Sequence, residues 1–241
     1  MTTFVLVHGA WGGSYGFRHV RRLLHAAGQE VFTPSLTGIG ERAHLTGPHV
    51  GLGTHVTDVV NTVLYEDLRD IVLVGFSYGG LVVTGCLDHI ADRIRHLVYL
   101  DAFVPDDGDS LYGLSGAPGL ANMAIGQPWL LAAAGRSFDD PDEAAFCDVR
   151  RTPQPVGSFT ERVHLTRPVE DFAFERTYIR ATADAPDAPA SAVLDAAAER
   201  ARSSDRWHYR EIATNHMVPN NRPVELTTML LDLAGATATS G

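Results

Sequence analysis

The chain contains no lysine: all 19 of its basic residues are arginine. That absence removes Schiff-base catalysis, a serine–lysine dyad and a P-loop phosphate site together, since each needs an ε-amino group. Cysteine is scarce. Cys86 and Cys147 are the 2 present, and they form no disulfide framework. Cys86 sits among small apolar residues and reads as core. No apolar run approaches the length of a membrane span. Met1-Thr2-Thr3 is followed directly by strand-like residues, with no basic segment and no long apolar segment of a secretory signal. The expectation is a soluble, cytoplasmic protein. Positive charge is also short. A formal net charge of -10 with scattered arginines argues against nucleic acid and against anionic membrane, which both require clustered cations. The expected partner is a small molecule. No sequence feature sets the oligomeric state.

What remains is ordinary globular material. The 241 residues are 45% hydrophobic and 20% charged, enough for one large α/β domain with a sizeable core. Phe4–Val7, Val31–Thr33, Ile71–Val74, His96–Leu100, Arg176–Ala181 and Trp207–Ile212 read as strands. Helical spacing predicts helices over 17–27, 54–66, 80–87, 190–202 and 224–233. Residues 35–53 read as a long loop. Alternating strands and helices imply a mostly parallel, doubly wound sheet. Its ligand belongs beyond the carboxyl ends of the strands. Between Ala102 and Phe172 the alternation stops, and Pro, Gly, Asp and Ala dominate. The expected organisation is a core of residues 1–101 and 173–241 with a cap inserted over 102–172.

The chemistry is carried by Gly75-Phe76-Ser77-Tyr78-Gly79. A strand precedes it and a small-residue helix follows. That context gives a G-x-S-x-G pattern its mechanism: a sharp strand-to-helix turn presents Ser77 Oγ at the sheet edge. Bulk at the flanking glycines would collide with the neighbouring strand and helix. A serine hydroxyl needs a base within hydrogen-bond reach and an acid to orient that base. In this architecture the chain order is Ser, then Asp or Glu, then His. His216 follows the last strand and fits the base; His208 lies inside that strand and fits less well. Two acids compete. Asp184 follows the fifth strand, the usual position. Asp101 ends the fourth strand, the recognised alternative, where a strand end holds a carboxylate rigidly. Asp101 is preferred, with Asp184 kept open. The backbone N–H groups of Ala10 and Tyr78 are the expected oxyanion donors. Trp11 either walls the pocket or is simply packed.

Two other patterns carry less. Gly38-Ile39-Gly40-Glu41-Arg42-Ala43 matches G-x-G-x-x-A, with Asp58 downstream, but Pro34 ends the preceding strand and no helix opens at the glycines. His44, His49 and His55 match no zinc spacing. Neither a cofactor nor a metal is expected.

The segments FVLVHGAWGG, TPSLTGIGERAHL, LVGFSYGG, LVYLDAFVPDDG and RTYIRAT, with the late histidine, resemble a small α/β-hydrolase. They are similar to bacterial esterases related to carbendazim-hydrolysing esterase and, more distantly, to plant methylesterases and hydroxynitrile lyases. The resemblance covers nearly the whole chain and is weakest over 102–172. It implies an α/β-hydrolase fold, Ser77 as nucleophile, His216 as base and the Ala10 and Tyr78 amides as oxyanion hole. Its close bacterial members favour Asp101 as the acid. The chain departs from them at Phe76, where relatives carry histidine, and at Asn215-His216-Met217, where relatives often read G-H-D. Lyases of the family place lysine after the catalytic histidine; Met217 stands there. The expected activity is hydrolysis of a small ester, carbamate or lactone. The alternative is a non-hydrolytic cyclase or lyase on the same scaffold.

Overall fold

Side-chain alternation decides the layers. In the strand β1 (Thr3–Val7), Phe4 and Leu6 enter one hydrophobic cluster while Val5 and Val7 enter another, and all four are fully buried. A strand buried on both faces needs helices on both sides. The computed structural model describes residues 1–115, 129–184 and 190–235, and these helices are present in it. In chain order the elements after β1 are α1 (Arg18–Ala26), β2 (Glu30–Phe32), α2 (Leu52–Tyr65), β3 (Ile71–Phe76), α3 (Gly79–Gly85), α4 (Leu87–Ile90), β4 (Ile94–Leu100), α5 (Leu111–Ser115), β5 (Leu130–Leu131), α6 (Pro141–Asp148), β6 (Gln154–Pro155), α7 (Gly157–Thr160), β7 (Glu175–Ala181), α8 (Ser191–Arg202), β8 (His208–Ile212), α9 (Val218–Asn221) and α10 (Pro223–Leu233).

The main sheet has six strands in the order β2-β1-β3-β4-β7-β8, and every pairing in it is parallel. Val20 and Leu24 of α1 and Leu226 and Leu230 of α10 cover one face, over Phe4, Leu6, Val72 and Val74. Val59 and Val63 of α2, Leu81 and Val82 of α3 and Ala197 of α8 cover the other, over Val5, Val7, Ile71 and Leu73. From β1 the chain first winds outward to β2, then returns to β3 on the opposite side of β1. The carboxyl ends of β1 and β3 therefore flank the point where winding reverses, the place where open α/β sheets bind ligands.

The expected elements recur with shifted ends. The helix after the elbow is interrupted at Cys86, giving α3 and α4 rather than one run. The long loop contains a 3₁₀ turn over Gly40–Leu45. The described residues of 102–172 add no strand to the main sheet; among them β5 and β6 pair antiparallel as a separate ribbon. In α6, Asp140 Oδ1 accepts the Asp142 N–H at 2.9 Å and Pro141 occupies the first turn, a satisfied N-terminus. Both ends of the 102–172 segment pack in the core beside α2 and α3, through Phe103, Val163, Val169 and Phe172. Among the described residues no helix is long and apolar enough to cross a membrane.

Candidate active site

Three strand ends converge. β1 delivers His8 to Trp11, β3 delivers Ser77 and β4 delivers Asp101. Trp11, Ser77 and Asp101 adopt φ of +59°, +54° and +42°, a region costly for residues with a Cβ and found where surrounding structure over-determines it. At the Ser77 turn, approach is the limiting factor. A Cβ on Gly75 would lie 2.7 Å from Gly79 O and from Val83 Cγ2, and one on Gly79 would lie 2.6 Å from Val7 O. The turn closes only with glycine at both places.

Ser77 Oγ lies 2.9 Å from His216 Nε2. His216 Nδ1 donates to Asp101 Oδ2 at 2.6 Å. The other Asp101 oxygen accepts the Ala181 N–H at 3.0 Å and a guanidinium N–H of Arg180. Asp101 is fully buried. Burial would raise its pKa, but the hydrogen bond and charge of His216, the Arg180 charge and the Ala181 N–H outweigh it and hold the carboxyl below its ordinary value. Arg180 in turn pairs with Asp195 at 2.7 Å. The array can pass the Ser77 proton to an imidazole whose tautomer is set by a buried, ionised carboxylate.

Asp184 has a different position from Asp101. Its Oδ1 accepts the backbone N–H of His216 at 3.1 Å, so it grips the loop that carries the imidazole rather than the ring. Asp101, Asp184 and His216 each present a ligand atom within 4.8 Å of the others, the one such metal-capable grouping among the described residues. His44, His49 and His55 form none. His55 is buried between Tyr78 Oη, which donates to its Nδ1 at 2.8 Å, and Thr37 O, which accepts from its Nε2 at 2.9 Å. Burial pushes its pKa down to about 4. Asp58 accepts from the Thr37 N–H and hydroxyl and from Arg42. It ties down the Gly38–Ala43 loop and is committed to that task, not to a ribose. His208 pairs with Glu175 at 3.0 Å, at the opposite end of β8 from the loop that carries His216.

The amides of Ala10 and Tyr78 have no hydrogen-bond partner among the described residues. Of the adjacent amides, the Ser77 N–H is engaged on Leu100 O at 3.2 Å and the Trp11 N–H on Gln154 Oε1 at 2.9 Å. Trp11 serves both roles considered for it. Its indole N–H donates to Leu131 O at 3.1 Å, its ring meets Phe159 edge-on, and it lines a cavity at Ser77. Phe76 lies against the His216 ring with centroids 5.0 Å apart.

Several contributors escape sequence reading. Arg180 carries a faint signal, a cation inside an otherwise apolar strand. Gln154 and the Asp184–backbone contact carry none, because loops distant in sequence create them.

The fold, elbow and converging strand ends define an α/β-hydrolase. Comparison agrees: the profile of the alpha/beta hydrolase family matches residues 4–228, and the chain belongs to that family. It is 55% identical over 114 residues to the carbendazim hydrolyzing esterase of a Nocardioides species, covering 47% of each chain. It is 32% identical over 109 residues to the alpha-hydroxynitrile lyase of Arabidopsis thaliana, covering 43% of this chain and 40% of the lyase. The matches thus span under half the length of these curated relatives. The crystal structure of an Arabidopsis methylesterase superposes over 98% of this chain and 99% of its own with a TM-score of 0.77 at 23% identity, a likeness of fold.

Proposed function

We propose that this protein is a serine carboxylesterase that cleaves a small ester, carbamate or lactone through an acyl-enzyme. The observation that carries the reading is the hydrogen-bonded series Ser77 Oγ, His216, Asp101, with separations of 2.9 and 2.6 Å, at the mouth of two cavities. The esterase names among its relatives support it. Ser77 Oγ attacks the substrate carbonyl carbon while its proton passes to His216 Nε2. The carbonyl oxygen becomes an oxyanion, which in this reading the N–H groups of Ala10 and Tyr78 receive. The C–O or C–N bond then breaks, the leaving group takes the proton from His216, and the acyl group stays on Ser77. Water attacks the acyl carbon as His216 takes its proton; the acyl C–Oγ bond then breaks, His216 returns the proton to Ser77 Oγ, and the acid leaves. Asp101 stabilises the imidazolium, and Arg180 and the Ala181 N–H hold Asp101 in place. No metal or cofactor takes part.

Residues 102–172 act in this reading as the cap that shapes substrate selection. Leu111, Tyr112, Leu131 and Phe159 from this segment face the larger cavity at Ser77. The test is a panel of short acyl esters, methyl esters, carbamates and lactones assayed with the wild-type chain and Ser77→Ala. The expected result is hydrolysis of at least one class, reduced on the order of 10⁴-fold or more in the folded variant. Ring closure or elimination products in place of hydrolysis would contradict the reading.

A further inference from the structure

Two cavities open on Ser77, and they differ in chemistry. Both are lined by Ala10, Ser77, Arg136 and His216. The larger has a volume of about 480 Å³ and is walled by apolar and aromatic groups, among them Trp11, Phe103, Leu111, Tyr112 and Phe159. The smaller, about 50 Å³, adds Arg151, Tyr15 and Asn220. Among the described residues its lining has two guanidinium groups and no carboxylate.

Other arginines that are partly withdrawn from water have answering groups. Arg18 pairs with Glu143, Arg180 with Asp101 and Asp195, and Arg200 with Glu170 and Asp106. Arg176 donates to the Phe172, Phe174 and Arg206 carbonyls. Arg136 and Arg151 differ. Among the described residues Arg136 makes one hydrogen bond, to Gly135 O at 3.3 Å, and Arg151 makes none. Neither joins an ion pair. Both are half-buried. Burial lowers the pKa of each, and the Arg151 charge adds to the effect on Arg136. The Tyr15 hydroxyl in the same cavity is also buried without a partner. Desolvated donors left unanswered are unfavourable in a folded chain, so a set of them facing one cavity beside a reactive serine points to an external acceptor. Arg136 is held over the site by the Trp11 ring, 5.7 Å from its Cζ.

We propose that Arg136 and Arg151 form a carboxylate-binding subsite, so that the preferred substrates are esters bearing a free carboxylate on one half and an apolar group on the other. This rests on the serine-esterase reading above. The carboxylate enters the smaller cavity and accepts from the guanidinium forks, a geometry suited to two parallel N–H···O bonds. The apolar half fills the larger cavity. The net charge of -10 opposes an approaching anion only weakly, since exposed charges are screened beyond about 8–10 Å at physiological salt. Inside the cavity the two cations dominate.

Matched substrate pairs test this. On the acyl side, 4-nitrophenyl hydrogen glutarate is compared with 4-nitrophenyl valerate. On the alcohol side, 4-acetoxybenzoate is compared with its methyl ester. In at least one pair the anion is expected to exceed the neutral ester in kcat/KM by on the order of tenfold, the scale of a hydrogen bond to a charged group. Arg151→Gln is expected to collapse that ratio, Arg151→Lys to keep only part of it because a point charge cannot reproduce the fork, and added salt to reduce it. Neutral esters preferred in both pairs, or a ratio unmoved in folded Arg136→Gln and Arg151→Gln, would overturn the subsite while leaving the esterase reading intact. A second measurement does not depend on turnover: calorimetric binding of glutarate and 4-hydroxybenzoate to Ser77→Ala protein. Binding of either anion that disappears when Arg151→Gln is added supports the subsite even if no ester is cleaved. Absence of binding for both overturns it.

Discussion

Asp101→Asn changes one atom and tests the polarity of the whole hydrogen-bond series. The Asp101 Oδ1 position receives two donors, the Ala181 N–H at 3.0 Å and the Arg180 guanidinium. An amide NH₂ cannot accept from either. The amide oxygen must therefore take that place, and the NH₂ must face His216 Nδ1. Nδ1 then accepts instead of donating, the ring proton moves to Nε2, and the imidazole can no longer take the Ser77 proton. A wrong tautomer in intact geometry lowers kcat by on the order of 10²–10⁴, equivalent to about 2.7–5.4 kcal/mol of transition-state stabilisation. KM should change little, because Asp101 touches no cavity wall. Folding should survive. Arg180 loses one carboxylate but keeps Asp195 at 2.7 Å, so the stability cost is about 1–3 kcal/mol, below that of orphaning a buried charge. The assay is steady-state hydrolysis of a 4-nitrophenyl ester with a thermal melt on the same sample. Asp184→Asn is the companion: its carbonyl can still accept the His216 N–H, so the loss stays under about tenfold. A folded Asp101→Asn protein within tenfold of wild-type activity, or a larger loss in Asp184→Asn, would refute the reasoning.

His216→Ala should cost about as much as Ser77→Ala, and the double variant little more than either, since such residues act as a unit; EDTA should leave wild-type turnover unchanged, and loss of activity on chelation would contradict the metal-free mechanism. Stability should fall with acid before carboxylates titrate. Burial lowers the pKa of His55 and His96 to about 4, below the unfolded value of roughly 6.5, so the unfolded chain binds more protons between those values and stability drops as pH falls through that window. Denaturant melts at pH 7 and pH 5 should differ by about 2 kcal/mol for each of these two histidines, with His96→Gln removing about 2 kcal/mol of the difference; equal stability at both pH values would sink this account. Gly75→Ala should destabilise by about 1–3 kcal/mol, because its Cβ would meet Gly79 O and Val83 Cγ2 at 2.7 Å; an unchanged melting temperature would show that the elbow relaxes more easily than its packing implies.

The sheet was legible because its signals are local. Ile71–Phe76 is a run buried at every position, and such runs read as parallel strands without tertiary information. The elbow was legible for the same reason: strand, glycine, serine, glycine and helix are contiguous. Asp101 could be preferred over Asp184 because a strand end is a rigid place. The role of Asp184 was not legible, since its bond to the His216 backbone joins two loops 32 residues apart. Segment 102–172 resisted reading because its described elements are short and packed by side chains rather than by period. Its helix α6 shows no marked apolar stripe, and it buries the ionised Glu143 against Arg18 and Asn220. Arg136 and Arg151 looked like two scattered arginines until the fold brought them to one cavity.

The central claim is that Ser77 Oγ is the nucleophile that carries the acyl group of an acyl-enzyme. Intact-mass and peptide mass spectrometry after treatment with a fluorophosphonate tests it most directly. The account predicts a single adduct on Ser77, loss of ester turnover in step with labelling, and no adduct in folded Ser77→Ala. An actively hydrolysing protein whose Ser77 stays unlabelled, or a folded Ser77→Ala variant with near wild-type turnover, would contradict it.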